Sequence, residues 1–298
     1  MNDITVYFDG VSKKYPHFSL ENIHLELATG GIMGFIGANG AGKSTTIRIL
    51  MGLVHQDEGT VRVLGHSMPS DQAAAKLDIG FVSEDMRLYG EATLGWHMDL
   101  LRPIYPRWDQ PYAENLLRRF DLKREQKIKG LSHGQRVKAA LLLALARKPR
   151  LLVLDEPTTG LDPVARREVL DELMAVLADE ERTILFSSHN TLDVEQISDQ
   201  ITFIDRGRII DSYDKEVFLD RWRRLRLVLP ADGVVPNLQG VVERGGTNRL
   251  PVLTTNRFDP AMIAACTEMG ATVQSVDTMT LEEIFVANVH NRRERGAA

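Results

Sequence analysis

A glycine-rich segment near the start of the chain carries the residue types that phosphate binding needs. Residues 37–44 fit the pattern G-x-x-x-x-G-K-[ST]. Glycines permit a tight turn that directs N–H groups at an anion, Lys43 supplies a cation, and the Ser44 hydroxyl can ligate Mg²⁺. The segment therefore predicts a nucleotide-phosphate site. Its predicted members are Gly37, Ala38, Asn39, Gly40, Ala41, Gly42, Lys43, Ser44 and Thr45.

An acidic pair follows a second apolar run. Asp155 and Glu156 come directly after Leu151–Leu154, which predicts a buried parallel strand. Nucleotide sites in open α/β sheets lie at the carboxyl ends of strands. We therefore expect Asp155 to hold Mg²⁺ through oxygen, by way of a water, and Glu156 to polarise an attacking water. A helix-initiating acidic turn has the same composition, so this interpretation depends on the phosphate loop upstream.

Strands and helices alternate along the first two thirds of the chain, which predicts a mainly parallel sheet covered on both faces. Prolines at positions 103, 106 and 111 interrupt one helical stretch. Strands are predicted at 4–8, 23–27, 32–36, 60–64, 79–82, 151–154 and 183–186. Helices are predicted at 43–51, 94–119, 134–147 and 164–178.

Composition changes near Asp220. A basic cluster of Arg221, Arg223, Arg224 and Arg226 surrounds Trp222, and short strands and two short helices follow. We expect residues 221–298 to form a small separate α/β domain whose tail frays from Asn291. The cluster is interpreted as a solvated or salt-bridged face, with an anionic-lipid contact as the alternative.

Composition excludes several classes of protein. The 298 residues are 43% hydrophobic and 26% charged, which indicates a folded globular chain. The net charge of −5 argues against a nucleic-acid partner, and the lone Cys266 allows no internal disulfide. The longest apolar run, Ala139–Ala146, is far shorter than the roughly 20 residues of a membrane span, and we expect no signal peptide. Any function at a membrane would need a second chain to span it.

A further motif makes a specific resemblance visible. Residues 131–135, Leu-Ser-His-Gly-Gln, resemble the L-S-G-G-Q signature of the ATP-binding-cassette (ABC) ATPase family. Residues 158–162 resemble its D-loop, Ser187-Ser188-His189 its switch histidine, and residues 12–15 the segment with its adenine-stacking aromatic. The resemblance covers residues 3 to about 220. It implies a phosphate-loop (P-loop) NTPase core at 1–220 with an antiparallel β-subdomain and a helical subdomain at about 85–135.

The resemblance also implies roles for individual residues. In the family, two subunits sandwich two ATP molecules head to tail, so Ser132 and Gly134 would contact the γ-phosphate that the opposite subunit holds. Catalytic roles are implied for Lys43, Glu156 and His189. The ATP contacts implied beyond the phosphate loop are Tyr15, Ser132, Gly134, Gln135 and Asp162.

Two residues depart from the family pattern. His133 replaces the first signature glycine, where a backbone with positive φ is one reason to expect glycine. Glu84 occupies the position of a glutamine that contacts Mg²⁺ and senses the membrane partner. A glutamate can still offer an oxygen to Mg²⁺, so we expect Ser44, Glu84 and Asp155 to form the metal site.

These motifs predict an ATPase subunit of a membrane transporter. The chain carries one cassette and no sustained heptads, which argues against the translation and DNA-repair classes. The resemblance implies ATP and Mg²⁺ as cofactors, an integral-membrane permease as partner, and a homodimer or a heterodimer with another ABC ATPase. We expect an exporter, located on the cytoplasmic face of the cell membrane; an importer subunit or a soluble ABC ATPase are the alternatives.

Overall fold

The computed structural model describes residues 4–176 and 182–297. The chain divides into two compact units, Met1–Ile209 and Ile210–Ala298. The division falls earlier than residue 220, where composition changes. The reason is local packing within the second unit: the Arg221 guanidinium lies 4.2 Å from the centre of the Tyr213 ring, and Asn288 donates a 3.1 Å hydrogen bond to Asp211. Residues 210–220 thus pack with the second unit.

An antiparallel sheet of four strands begins the first unit. Its strand order is β2-β1-β4-β5. Strand β2 alternates buried and exposed side chains from Ile23 to Leu27, as expected for a sheet with one face on a core. This sheet is the predicted antiparallel subdomain. Its strands are β1 (Ile4–Tyr15), β2 (Phe18–Ala28), β4 (Glu58–Val63) and β5 (His66–Met68).

A six-stranded sheet lies at the centre of the first unit; five of its strands lie wholly within that unit, and β10 begins at Arg208 and crosses the division at Ile209. Its order is β10-β9-β3-β8-β7-β6, and the five strands from β9 to β6 run parallel. Strands β3 and β7 are buried at every position, which explains their continuous apolar sequence. The strands are β3 (Ile32–Ile36), β6 (Ile79–Ser83), β7 (Leu151–Asp155), β8 (Thr183–Ser188), β9 (Gln200–Asp205) and β10 (Arg208–Asp214).

Seven α-helices and one short 3₁₀ helix, Ile128–Gly130, accompany these strands in the described part of the first unit. Pro103 and Pro106 separate α3 from α4, and side-chain caps at Thr93 and Asp109 start the two helices, which confirms the interruption expected from the prolines. The helices are α1 (Lys43–Leu50), α2 (Gln72–Ala75), α3 (Leu94–Leu101), α4 (Gln110–Arg119), α5 (His133–Leu145), α6 (Pro163–Val176) and α7 (Thr191–Ile197). Residues 177–178 of the predicted helix 164–178 lie outside the described residues.

The second unit has its own core and an antiparallel sheet of order β12-β13-β11-β14. Three arginines of the basic cluster, Arg223, Arg224 and Arg226, form ion pairs. The last helix extends to Ala297, and fraying of the tail from Asn291 stays a prediction. The elements are α8 (Lys215–Arg221), β11 (Arg223–Val228), β12 (Val241–Gly246), β13 (Pro251–Thr255), α9 (Ala261–Glu268), β14 (Thr272–Thr278) and α10 (Leu281–Ala297). Across residues 4–176 and 182–297, no helix combines the length and the apolar character needed to cross a membrane.

Candidate active site

Four strands of the central sheet deliver the predicted site residues to one edge. Ile36 pairs with Ser188, and Asp155 lies between Ser187 on β8 and Ser83 on β6. The phosphate loop follows β3, His189 follows β8, Glu156 follows β7, and Glu84 follows β6. The register of the parallel sheet therefore brings these four segments together, as expected at strand carboxyl ends.

The phosphate loop is shaped by glycines and by its own hydrogen bonds. Gly42, which precedes α1, has a φ of 117°, and a Cβ there would lie 2.7 Å from a methyl carbon of Leu20. No other residue fits this position without strain. The hydroxyl of Thr46 donates to the carbonyl of Gly42 at 2.9 Å, and the Ala41 N–H donates to Ala38 at 3.0 Å. The loop is thus held in its turn from within.

Lys43 lies inside the loop with 5% of its surface exposed. Its ammonium donates to the carbonyl of Gly37 at 2.7 Å and lies 3.4 Å from that of Ala38. It also lies 3.0 Å from Oε1 of Glu156. A buried cation needs such partners, because an unpaired one carries a large desolvation penalty. The loop therefore presents a fixed positive charge beside the predicted base.

Glu156 is held on both carboxylate oxygens. Oε2 lies 2.7 Å from Nδ1 of His189 and accepts a 3.0 Å hydrogen bond from the Thr159 hydroxyl. The residue has a φ of 54°, in the left-handed region that a glutamate seldom adopts, and its N–H donates to Ser187 at 3.1 Å. Such strain is found where the surrounding structure requires it, often at functional sites. Here it accompanies a carboxylate directed at Lys43.

A cleft of about 480 Å³ lies over the phosphate loop. Predicted residues line most of it, and His17 and Phe18 of the first hairpin close one side. The predicted residues in its lining are Ala38, Asn39, Gly40, Gly42, Lys43, Ser44, Thr45, Glu84 and Glu156. Gly37 and Ala41 support the loop: the carbonyl of Gly37 accepts from the Lys43 ammonium, and the N–H of Ala41 donates to the carbonyl of Ala38. The cleft has the size and lining of a nucleotide-phosphate site.

The chemistry of the predicted metal residues fits Mg²⁺. Ser44 and Glu84 line the cleft with oxygen atoms, the ligand type that Mg²⁺ prefers. Asp155 is buried and does not line the cleft, and its Oδ1 accepts a 2.6 Å hydrogen bond from the Ser187 hydroxyl. Within residues 4–176 and 182–297, no three His, Cys, Asp or Glu side chains cluster as a metal site. A magnesium ion here would be held by oxygen atoms of Ser44 and Glu84, by water and by phosphate oxygens, with Asp155 acting through a water.

Tyr15 lies in an adjoining cleft, not in the one over the phosphate loop. The residue is 42% exposed, and its ring stacks on that of Phe18 at 6.4 Å between centroids. Both rings line that second cleft together with Gly40 and Arg206. Since Phe18 and Gly40 line both clefts, the Tyr15 ring stands next to the phosphate site. An aromatic face in this place is available for a base to stack on.

The signature segment lies outside the cleft lining. Ser132 caps α5: its hydroxyl accepts from the Gln135 N–H at 3.2 Å, and the Gln135 side chain accepts from the Ser132 N–H at 3.0 Å. Gly134 packs toward Ala165 of α6. The expectation of a left-handed backbone at His133 is wrong, because His133 has no positive φ and begins α5. Any side chain can adopt that helical conformation.

Asp162 also lies outside the cleft lining. Its Oδ1 accepts from the N–H of Val164 at 2.9 Å and of Ala165 at 3.0 Å, which caps α6. The hydrogen bond from Ala165, supported by that from Val164, lowers the pKa of this carboxyl from its ordinary value. A contact of Asp162, Ser132, Gly134 or Gln135 with ATP therefore stays a prediction that requires a second chain.

Sequence analysis did not identify several residues that hold the acidic pair and the neighbouring turn in place. The Thr159 hydroxyl holds Glu156, and Ser187 holds Asp155. Asp193 on α7 is 1% exposed, accepts from the Thr158 hydroxyl at 2.6 Å and pairs with Arg166 at 2.5 Å. The sequence signal for Asp193 was its position four residues after His189, on a helix that starts at Thr191. A residue in the first turn of that helix can face the protein interior.

Comparisons with known proteins agree with this geometry. A family model described as ABC transporter matches residues 20–159. The chain is 30% identical over 305 residues to the daunorubicin resistance ATP-binding protein DrrA3 of Streptomyces coeruleorubidus, with 96% of each chain covered. It is 32% identical over 223 residues to the Nod factor export ATP-binding protein I of Mesorhizobium japonicum, covering 73% of this chain and 65% of that protein.

Structural comparison gives the same answer. A solved ATP-binding subunit of an ABC transporter matches with a TM-score of 0.66 at 26% identity, covering 72% of this chain and 92% of the other. The predicted P-loop ABC ATPase fold is thereby confirmed. From its sequence relatives and its fold, the chain belongs to the ABC transporter family, as an ATP-hydrolysing subunit.

Proposed function

We propose that two cassettes, either two copies of this chain or this chain and another ABC ATPase, close around two ATP·Mg²⁺ and drive a separate exporter permease. One observation carries the pairing. The cleft holds the phosphate loop, Glu84 and Glu156, whereas Ser132 and Gly134 lie outside its lining. Ser132 caps an exposed helix start, where a hydroxyl and backbone N–H groups suit an anion. A second cassette would place its own helix start over the cleft.

Hydrolysis is assigned to Glu156, which lines the cleft beside Lys43, and to the residues that hold its carboxylate. Phosphate oxygens would compete with Glu156 for the ammonium of Lys43, because each is an anion within its reach. Oε1 of Glu156 would then accept the proton of the attacking water, while His189 and Thr159 keep Oε2 in place. Mg²⁺, when bound, neutralises charge on the β- and γ-phosphates, with Ser44, Glu84 and Asp155 as its protein partners.

Replacing the lysine tests the phosphate site. Lys43→Ala removes the only buried cation of the loop segment 37–44, so nucleotide affinity should fall and turnover should be lost. Lys123→Ala removes an exposed lysine and serves as the control. Turnover and ATP binding are measured on the two purified variants. Unchanged turnover of Lys43→Ala would remove the basis of the proposed chemistry.

A surface beside Glu84 is the proposed permease contact. A groove of about 250 Å³ lies there, and its lining includes Met86, Leu88, Tyr89 and Leu100. Tyr89 is 71% exposed, and other large apolar side chains, such as Ile104, are exposed nearby in sequence. Exposed apolar groups in a groove indicate a protein contact. A permease bound here would hold the cassette at the cytoplasmic face of the membrane.

Site-specific crosslinking tests the permease contact. A photoreactive residue at Tyr89 or Ile104 should capture an integral-membrane protein in cells. The same probe at Met174, an exposed apolar residue of α6, is the control. Equal capture at all three positions, or capture of ribosomal or DNA-bound proteins alone, would contradict the proposed surface.

Export as the direction of transport rests on the relatives, one of which is named for Nod factor export. Import is the runner-up, because the residues of the cleft are those of the ATPase and carry no direction. Once the permease is identified, inverted membrane vesicles supplied with ATP should accumulate the substrate if the complex exports it. Uptake by right-side-out vesicles loaded with ATP would assign the importer instead.

A further inference from the structure

His133 stands where the family signature has a glycine, and its ring makes a contact that glycine could not make. Nε2 of His133 lies 2.9 Å from the carbonyl oxygen of Thr159. A carbonyl oxygen can only accept, so this ring nitrogen carries the hydrogen. The ring also packs on Gly160, where an added Cβ would lie 3.3 Å from Nε2. Gly160 has a φ of 72°, a left-handed backbone conformation that favours glycine in the turn beneath the ring.

Thr159 connects that contact to Glu156. Its hydroxyl donates to Oε2 of Glu156 at 3.0 Å, and its N–H donates to the Glu156 carbonyl at 3.3 Å. His133 and Glu156 also line one cavity of about 70 Å³ together with Glu84. The start of α5 and the carboxylate at the cleft are thus joined by a single intervening residue.

We propose that His133 is a positioning residue for hydrolysis. Its hydrogen bond fixes the Thr159 backbone, and the fixed backbone aims the Thr159 hydroxyl at Glu156. This inference rests on the proposed role of Glu156 as the base. The ring's donor, and not its bulk, does the positioning, because Thr159 offers it an acceptor at hydrogen-bond distance. A loosened base transfers protons more slowly without changing how the phosphate loop binds ATP.

Three substitutions separate the donor from the bulk. His133→Gly removes the ring, His133→Leu keeps bulk without a donor, and His133→Gln keeps an N–H at the same number of bonds from Cα. In steady-state ATPase assays, Gly and Leu should lower kcat by about 2- to 13-fold, the rate equivalent of one hydrogen bond, with KM unchanged. Gln should restore most of kcat. A Gly or Leu variant with wild-type kcat, or a Gln variant as slow as Gly, overturns the proposal.

A double-substitution cycle tests the route. Thr159→Val removes the hydroxyl while keeping the shape, so His133→Gly should lower kcat no further in that background. Additive losses overturn the route through Thr159. Glu156→Gln distinguishes this inference from the proposed function. Near-normal turnover of Glu156→Gln would reject the base itself, whereas a slow Glu156→Gln beside a normal His133→Gly rejects only the positioning role.

Discussion

The surroundings of Glu156 and those of Ser132 differ in burial and in what holds them. Glu156 is 9% exposed and is held by Lys43 and His189 from two distant segments, as well as by Thr159 in its own turn. Ser132 is exposed, and its cap contacts come from Gln135, three residues along the same helix. One region depends on the tertiary fold, while the other is a local helix start.

Under the proposed pairing, this difference separates the residues that would carry out hydrolysis from those that would contact a second chain. Electrostatic chemistry is strongest where water is excluded and the groups are already oriented, as they are around Glu156. A helix start on the surface keeps its N–H groups accessible to an anion that arrives with another chain. Substitutions in the first region should therefore change the rate of hydrolysis, and substitutions in the second should change association.

The largest effect is expected at the base. Glu156→Gln keeps the shape but cannot accept a proton, so hydrolysis should fall by about 10²–10⁴-fold. ATP binding should survive because Lys43 and Ser44 are unchanged, and ATP but not ADP should then trap a dimer. ATPase assays and size-exclusion chromatography measure the two outcomes.

Glu125→Gln, on the exposed surface, is the matched control for this substitution and should change neither property. Near-normal hydrolysis by Glu156→Gln would assign the base elsewhere. A monomer in ATP would count against pairing by the isolated cassettes and leave the base role intact.

A smaller effect is expected for the buried support beneath the switch segment. Arg166→Ala leaves Asp193 buried without its cation, which should lower the free energy of unfolding by about 3 kcal/mol. Arg167→Ala, one residue along α6, breaks only the exposed pair with Asp171 and is the matched control, with an expected cost below about 0.5 kcal/mol. Urea unfolding of the two variants compares them. Equal costs would show that burial does not distinguish these pairs.

For the buried region around Glu156, sequence patterns predicted which residues form the site, but they did not predict the contacts between those residues. Motif spacing located Lys43 and Glu156, and apolar runs located the strands that carry them, because the chemistry and the parallel sheet both constrain residue type. The Lys43–Glu156 ion pair and the positive φ of Glu156 could not be predicted. They depend on how the turn after β7 meets a loop more than a hundred residues earlier in the chain.

In the exposed region around Ser132, the local contacts could be predicted from sequence, but the contact with a distant segment could not. The cap at Ser132 follows from local sequence alone, since a serine three residues before a glutamine predicts a capping box. The contact of His133 with Thr159 joins two segments that are distant in sequence, and no local pattern predicts it. The unit boundary near residue 210 was missed for a similar reason: composition changes at the basic cluster, whereas contacts change earlier.

A substitution at Ser132 tests whether the exposed helix start takes part in association as well as capping α5. Ser132→Ala removes the acceptor for the Gln135 N–H, which should cost about 1 kcal/mol of stability. In the Glu156→Gln background it should also weaken the ATP-dependent dimer, while ATP binding by each chain stays unchanged. Thr93→Ala removes an equivalent cap from α3 and is the matched control. If both variants form the dimer equally well, Ser132 acts only as a cap.

The smallest effect is expected at Asp162, where the cap of α6 carries a charge. Because the backbone hydrogen bonds lower its pKa, the folded chain binds this proton less readily than the unfolded chain. The stabilisation is therefore fully present above the ordinary pKa of an aspartate and is lost as pH falls through the lower, folded value.

Asp162→Asn keeps an acceptor but removes the titration. The urea midpoints of wild type and Asp162→Asn, measured from neutral pH down to about pH 3, should converge as the pH falls, since the contributions of all other carboxyl groups cancel in the comparison. A difference that stays constant with pH would mean that the Asp162 charge contributes nothing and that the cap acts through hydrogen-bond geometry alone.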